Sequence, residues 1–135
     1  MLGIVCSAVS TAAPVPKEAK SNKLDGVWEL TAMEVAGTGR PVGSTLKIEE
    51  KSVTVTSTGE NADRPPRTYV IAINDIARPR ELDWNSNVQG IIHQAIFAVE
   101  GDSLKIAMNL SGKGRPTEMK SGDTTVLYTF KRLKN

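Results

Sequence analysis

An all-β fold, an eight-stranded antiparallel up-and-down barrel, is predicted by three features of the sequence. Apolar residues alternate with polar ones at period two, turn signals recur about every ten residues, and no stretch sustains a helical period. Closure of the sheet removes its exposed edges, which favours a barrel; a two-sheet β-sandwich is the alternative for the same strands.

The strands follow in order. In Val27 to Val35, Trp28, Leu30 and Ala32 share one face against Glu29 and Thr31, and Met33 and Val35 then change parity as a bulge would allow. Gly37 to Ser44 holds three glycines and Pro41, so at most one helical turn is expected there. Leu46 and Ile48 alternate with Lys47 and Glu49, and after a turn at Glu50 and Lys51, Val53 and Val55 alternate with Thr54 and Thr56. Beyond the breaker Arg64-Pro65-Pro66-Arg67, Tyr69, Ile71 and Ile73 share a face; Leu82 and Trp84 then alternate with Glu81 and Asp83. Phe97 and Val99 lead into Glu100-Gly101-Asp102, a hairpin turn with a glycine available for positive φ, from which Leu104, Ile106 and Met108 emerge. Val126, Tyr128 and Phe130 form the last strand, with Arg132 in the same parity.

The chain has 135 residues, 39% of them hydrophobic, and a formal net charge of +2, which suits one globular domain. Its single cysteine, Cys6, rules out a disulfide scaffold, and one cysteine with one histidine cannot supply a Cys/His zinc site. So small a basic excess argues against a nucleic-acid partner.

Residues 1–13 carry no charge and are mostly apolar or small; too short to span a bilayer, they read as the remnant of a signal peptide. Ser10 and Ala12 stand at the small-residue positions before a cut, while the basic opening is missing, as in a truncated signal or a start assigned too far downstream. Branched Val5 before Cys6, and Gly3 where leucine is usual, disfavour a lipid anchor on that cysteine. Residues 14–23 read as a linker with two prolines and four charges, so the domain is expected over 24–135, and an exported, periplasmic or secreted location with no transmembrane segment follows.

In a closed barrel the first and last strands are neighbours, so the guanidinium of Arg132 can lie on the Trp28 indole, while Gly26 supplies a close approach that a side chain would obstruct. Gly26-Val27-Trp28 with a basic residue after the last strand resembles the structural signature of lipocalins. Leu24-Asp25-Gly26-Val27-Trp28-Glu29-Leu30, Pro79-Arg80-Glu81-Leu82-Asp83-Trp84, Glu100-Gly101-Asp102-Ser103-Leu104-Lys105-Ile106, Gly112-Lys113-Gly114-Arg115-Pro116-Thr117-Glu118 and Lys131-Arg132 extend the likeness. Together they resemble the ordered motifs of a family of small exported lipocalin-like proteins common in planctomycetes. The chain departs from that pattern at Ala95, where glycine is usual, at Ala107, often cysteine, and at Met119, usually phenylalanine. The resemblance implies a barrel and export, and brings with it no reaction and no ligand.

Candidate sites are few. Trp28, Leu30, Tyr69, Ile71, Leu82, Trp84, Phe97, Met108 and Tyr128 are assigned to the barrel lining. His93 shares the face of Phe97 and Val99 and reads as a rim or core histidine; Asp83 is the nearest carboxylate with which it could hold a metal. Glu49 and Glu50 are adjacent, so they point to opposite faces of a strand and form no acid pair. Arg115 and Glu118, in the long connection before the last strand, form a candidate loop site at the barrel mouth; the simpler reading is that Pro116 stiffens the turn while the two pair with each other or with the backbone. Arg64, Arg67, Arg78 and Arg80 cluster in sequence and read as a solvated face, since no aromatics are interleaved for base stacking. No acid, base or nucleophile set stands out and no cofactor is implied. A binding domain for a small apolar or amphiphilic ligand is therefore expected. The alternative is a filled barrel serving a structural role or binding an exported protein, favoured by the 112-residue length of 24–135, which leaves little for lid loops.

Overall fold

A computed structural model describes residues 24–59, 62–85 and 90–133. The expected leader, the linker and Cys6 lie outside them. The strands are β1 (Gly26–Val35), β2 (Thr38–Arg40), β3 (Ser44–Glu49), β4 (Ser52–Ser57), β5 (Arg67–Asn74), β6 (Arg80–Asn85), β7 (Ile92–Glu100), β8 (Ser103–Asn109) and β9 (Thr125–Arg132). All pairings are antiparallel, β3 to β9 pair in sequence order, and β1 pairs with both β3 and β9. Eight strands thus close into the expected barrel, while β2 pairs only with the second half of β1. Gly37 to Ser44 is therefore a hairpin arm rather than a helical turn: Ala36 and Gly37, at φ of 51° and 80°, make the reversal.

Two hairpins turn where the sequence places them. Glu49 pairs with Ser52 around Glu50-Lys51, where Glu50 takes a φ of 56° and its N–H donates to Asp25 Oδ1 at 3.2 Å. Glu100 pairs with Ser103 around Gly101, at a φ of 60°. The bulge in β1 comes one residue earlier than expected. The register with β9 shifts between Leu30 and Ala32, so Leu30 stays inside, Met33 turns in, and Ala32, expected on the inner face, is exposed. An extra residue at Thr31 reverses the alternation there, and its hydroxyl donates to Thr129 O.

The interior divides by depth. One end, where β1, β6 and β8 begin, is filled by wholly buried Trp28, Val53, Ile71, Leu82, Phe97 and Leu104. Arg132 caps this end, its guanidinium carbon 4.1 Å from the Trp28 ring centroid and its Nη1 donating to Asp25 O at 2.8 Å. Trp28 Nε1 donates to Leu24 O at 2.9 Å, so the buried indole leaves no donor unpaired. Arg80 is a second cap, 4.6 Å from the Phe97 centroid and 2.7 Å from Asp75.

Beyond Leu110, which stands at the rim of the open end, the connection of residues 110–124 does not rise over the mouth. It lies along the outer wall. Ile96 and Ala107 point away from the barrel axis, since their neighbours Ala95, Phe97, Ile106 and Met108 point in, yet both are buried. Arg115 crosses β6 and β7 beside them, donating to Leu82 O at 3.3 Å and Ala95 O at 2.9 Å, and Met119 shares an outer groove with Ile96. The connection then ties to the β1–β2 turn, where Ser121 Oγ donates to Glu34 at 2.8 Å and accepts from Gly37 N–H at 2.9 Å. Ala107 and Met119 both belong to this outer layer.

Candidate functional site

The opposite end of the barrel is not filled. Where β3, β5 and β9 begin and β4, β6 and β8 end, the inward faces surround a cavity of about 880 Å³. That volume lies within the roughly 300–1,000 Å³ typical of small-molecule sites.

Alternation sets the wall. Leu30 and Met33 of β1, Leu46 of β3, Val55 of β4, Ile106 and Met108 of β8, and Tyr128 and Phe130 of β9 face inward and line it. Tyr69 and Trp84, with ring centroids 5.2 Å apart, form one aromatic wall; Tyr128 and Phe130, 6.1 Å apart, form another on strands across the barrel. Ser44, Ser57, Met33 and Met108 add short or unbranched side chains to this lining. Tyr69, Trp84 and Tyr128 are only half-buried and present apolar area to the cavity.

Of the nine residues assigned to the lining, Leu30, Tyr69, Trp84, Met108 and Tyr128 face the cavity. Trp28, Ile71, Leu82 and Phe97 are buried in the filled half.

Polar groups share this wall: Ser44, Ser57, Thr58, Arg64, Arg67, Tyr69, His93 and Tyr128 also line the cavity. Burial raises the Tyr128 phenol above its usual range, so its hydroxyl keeps its proton and can donate. His93 pairs with Trp84 across β6 and β7 and lines the cavity, and its Nδ1 is buried with no hydrogen-bond partner. Asp83 alternates to the outer face, where Arg115 Nη2 holds it at 2.6 Å. Asp83 and His93 therefore do not converge on a metal. Among the described residues no group of three or more His, Cys, Asp or Glu side chains is placed to hold one.

Two further candidates are corrected. Arg115 bonds to Asp83 and lies 3.7 Å from Glu81, whereas Glu118 pairs with Lys120 at 3.0 Å, so Arg115 and Glu118 form no mouth site; Arg115 fastens the outer loop. The four clustered arginines do not share a face. Arg78 donates to the carbonyls of Asp75 and Ala77, Arg80 caps the closed end, and Arg64 and Arg67 line the cavity mouth. Sequence reasoning missed these separate roles. The signal was present in alternation: Arg80 shares parity with Leu82 and Trp84, and Arg67 with Tyr69 and Ile71.

Among the described residues no helix is long and apolar enough to cross a membrane. Comparison of the chain with protein-family models, with curated proteins and with solved structures finds no match.

Proposed function

We propose that this protein is an exported, lipocalin-like and non-catalytic binding domain that holds a small apolar or amphiphilic molecule in the open half of its barrel. The observation that carries this reading is the cavity of about 880 Å³, open at one end, in which aliphatic and aromatic side chains share the wall with polar ones. An eight-stranded barrel has room either to be filled by side chains or to hold one small ligand. Here the two halves differ, and the half-buried aromatic rings offer a ligand apolar area that the closed half already buries internally. The Gly26, Trp28 and Arg132 cap supports the lipocalin likeness.

Native mass spectrometry of protein purified from its own host, followed by titration with an environment-sensitive lipophilic dye, tests the reading. A co-purified small mass, or saturable dye binding at one site per chain, is expected. With straight-chain competitors, each added methylene should tighten binding about fourfold until the cavity is full, since a buried methylene contributes about 0.8 kcal/mol. A clean apo mass together with unsaturable dye binding would leave the filled, structural or protein-binding barrel as the better description.

A further inference from the structure

The cavity mouth is charged with one sign. Arg64 and Arg67 line it, both are exposed, and no aspartate or glutamate lines the cavity among the described residues. Three other arginines pair with carboxylates, Arg80 with Asp75, Arg115 with Asp83 and Glu81, and Arg132 with Asp102, while Arg78 is held by backbone carbonyls. Neither mouth arginine has such a pairing among the described residues. Local structure places Arg67 and stiffens the backbone that carries Arg64. Arg67 opens β5 opposite Val55 and points to the same side as Tyr69, two residues deeper. Between the arginines, Pro65 and Pro66 each hold φ near −65°, which stiffens the link. The other polar side chains that line this end, Ser44, Ser57, Thr58, Tyr69, His93 and Tyr128, carry no negative charge and offer hydrogen bonds.

A chamber with aliphatic and aromatic walls, entered past two guanidiniums and, among the described residues, no carboxylate, is complementary to a molecule with an aliphatic tail and an anionic head. We propose that the ligand is a single-chain amphiphile with an oxyanion head, a carboxylate or a phosphate monoester, whose tail lies between the aromatic walls and whose head is held by Arg64 and Arg67. This rests on the binding reading above and specifies its ligand class. A planar guanidinium donates two parallel hydrogen bonds to either head and interacts more strongly with it than with a neutral hydroxyl.

The experiment is dye displacement from the whole protein by ligands of one chain length and different heads: dodecanoate, dodecyl phosphate, dodecanol and dodecyltrimethylammonium, each below its micelle concentration, with inorganic phosphate as a tail-free control. Dodecanoate and dodecyl phosphate should bind about tenfold or more tighter than dodecanol. The ammonium should bind weakest, and inorganic phosphate should displace nothing. Added salt should weaken the two anions and leave dodecanol unchanged. In the double variant Arg64→Ala/Arg67→Ala, the affinity for dodecanoate should fall to that for dodecanol, with dodecanol binding retained as proof of an intact barrel. Equal affinity for all four chains would overturn the headgroup assignment while leaving the apolar cavity standing. No displacement by any of them would overturn both. Should the double variant fail to fold, the salt dependence and the headgroup series on the unaltered protein decide the question.

Discussion

Gly26 has a φ of 140°, and a Cβ built there would stand 2.7 Å from Arg132 Nη1. Gly26→Ala therefore both strains the backbone and displaces the guanidinium from the indole. The strain alone is of order 1–3 kcal/mol. Arg132→Ala removes a ring contact worth roughly 0.5–2 kcal/mol and is expected to lower Tm by a few degrees, with Gly26→Ala lowering it further. Thermal unfolding of both single variants and the double variant checks this, and the cost of Gly26→Ala should shrink once Arg132 is gone. Tyr128 gives a pH signature. As pH rises past the ordinary tyrosine value of 10.0, the unfolded chain loses the phenolic proton while the buried phenol keeps it. The unfolded state then binds fewer protons, so this contribution to stability is intact below that pH and is lost as pH rises through the elevated folded value. Urea unfolding above pH 10 should show a shallower decline for Tyr128→Phe than for the unaltered chain. The Gly26, Trp28 and Arg132 contact was legible in the sequence because two terminal strands with known parity suffice to infer it. The Arg80 and Phe97 contact was not, because it depends on the register of β6 against β7, and the turn residues between Trp84 and His93, Asn85-Ser86-Asn87 and Gly90, are spread over too long a connection to fix that register.

Among the elements, the strands were legible wherever alternation and a turn residue agreed, as at Glu100-Gly101-Asp102. They were misread where the period broke. The bulge at Thr31 shifts parity by one residue, which a change in alternation reveals but does not locate, and so Ala32 was placed inside. The segment of residues 110–124 misled for a different reason. Its glycines and polar residues read as a loop, and nothing local says which side of the sheet a loop lies on; the outward burial of Ile96 and Ala107 is the evidence for the outer wall. Arg115 anchors that layer. Arg115→Ala should cost about 1–2 kcal/mol, since it leaves Asp83 and Glu81 as adjacent partly buried carboxylates and two carbonyls without their extra donor. A double-mutant cycle with Asp83→Asn, followed by denaturant unfolding, should return a coupling of about 1 kcal/mol. Hydrogen exchange of Met119 to Gly122 amides should quicken in Arg115→Ala if the loop is fastened from this point.

For the whole molecule, closure of β1 on β9 was legible because eight alternating strands with short links leave little else to do with their edges. The cavity was not. Chain length suggested a filled barrel, but filling depends on the sizes of side chains that meet across the barrel, and those pairings exist only once every register is set. The result is one chain with a stabilising half and a receptive half. Met108→Trp should place bulk in the receptive half, abolish dye binding and change stability by only about 1 kcal/mol, because it fills space rather than overpacking it. Methyl chemical-shift mapping during titration with dodecanoate locates the site most directly. Saturable shifts at Leu30, Val55, Ile106 and Met108, with Val53, Val99 and Leu104 unmoved, are expected of a ligand in the open half. Shifts confined to outward residues such as Val70 and Ile76, or no saturable shift at all, would contradict it.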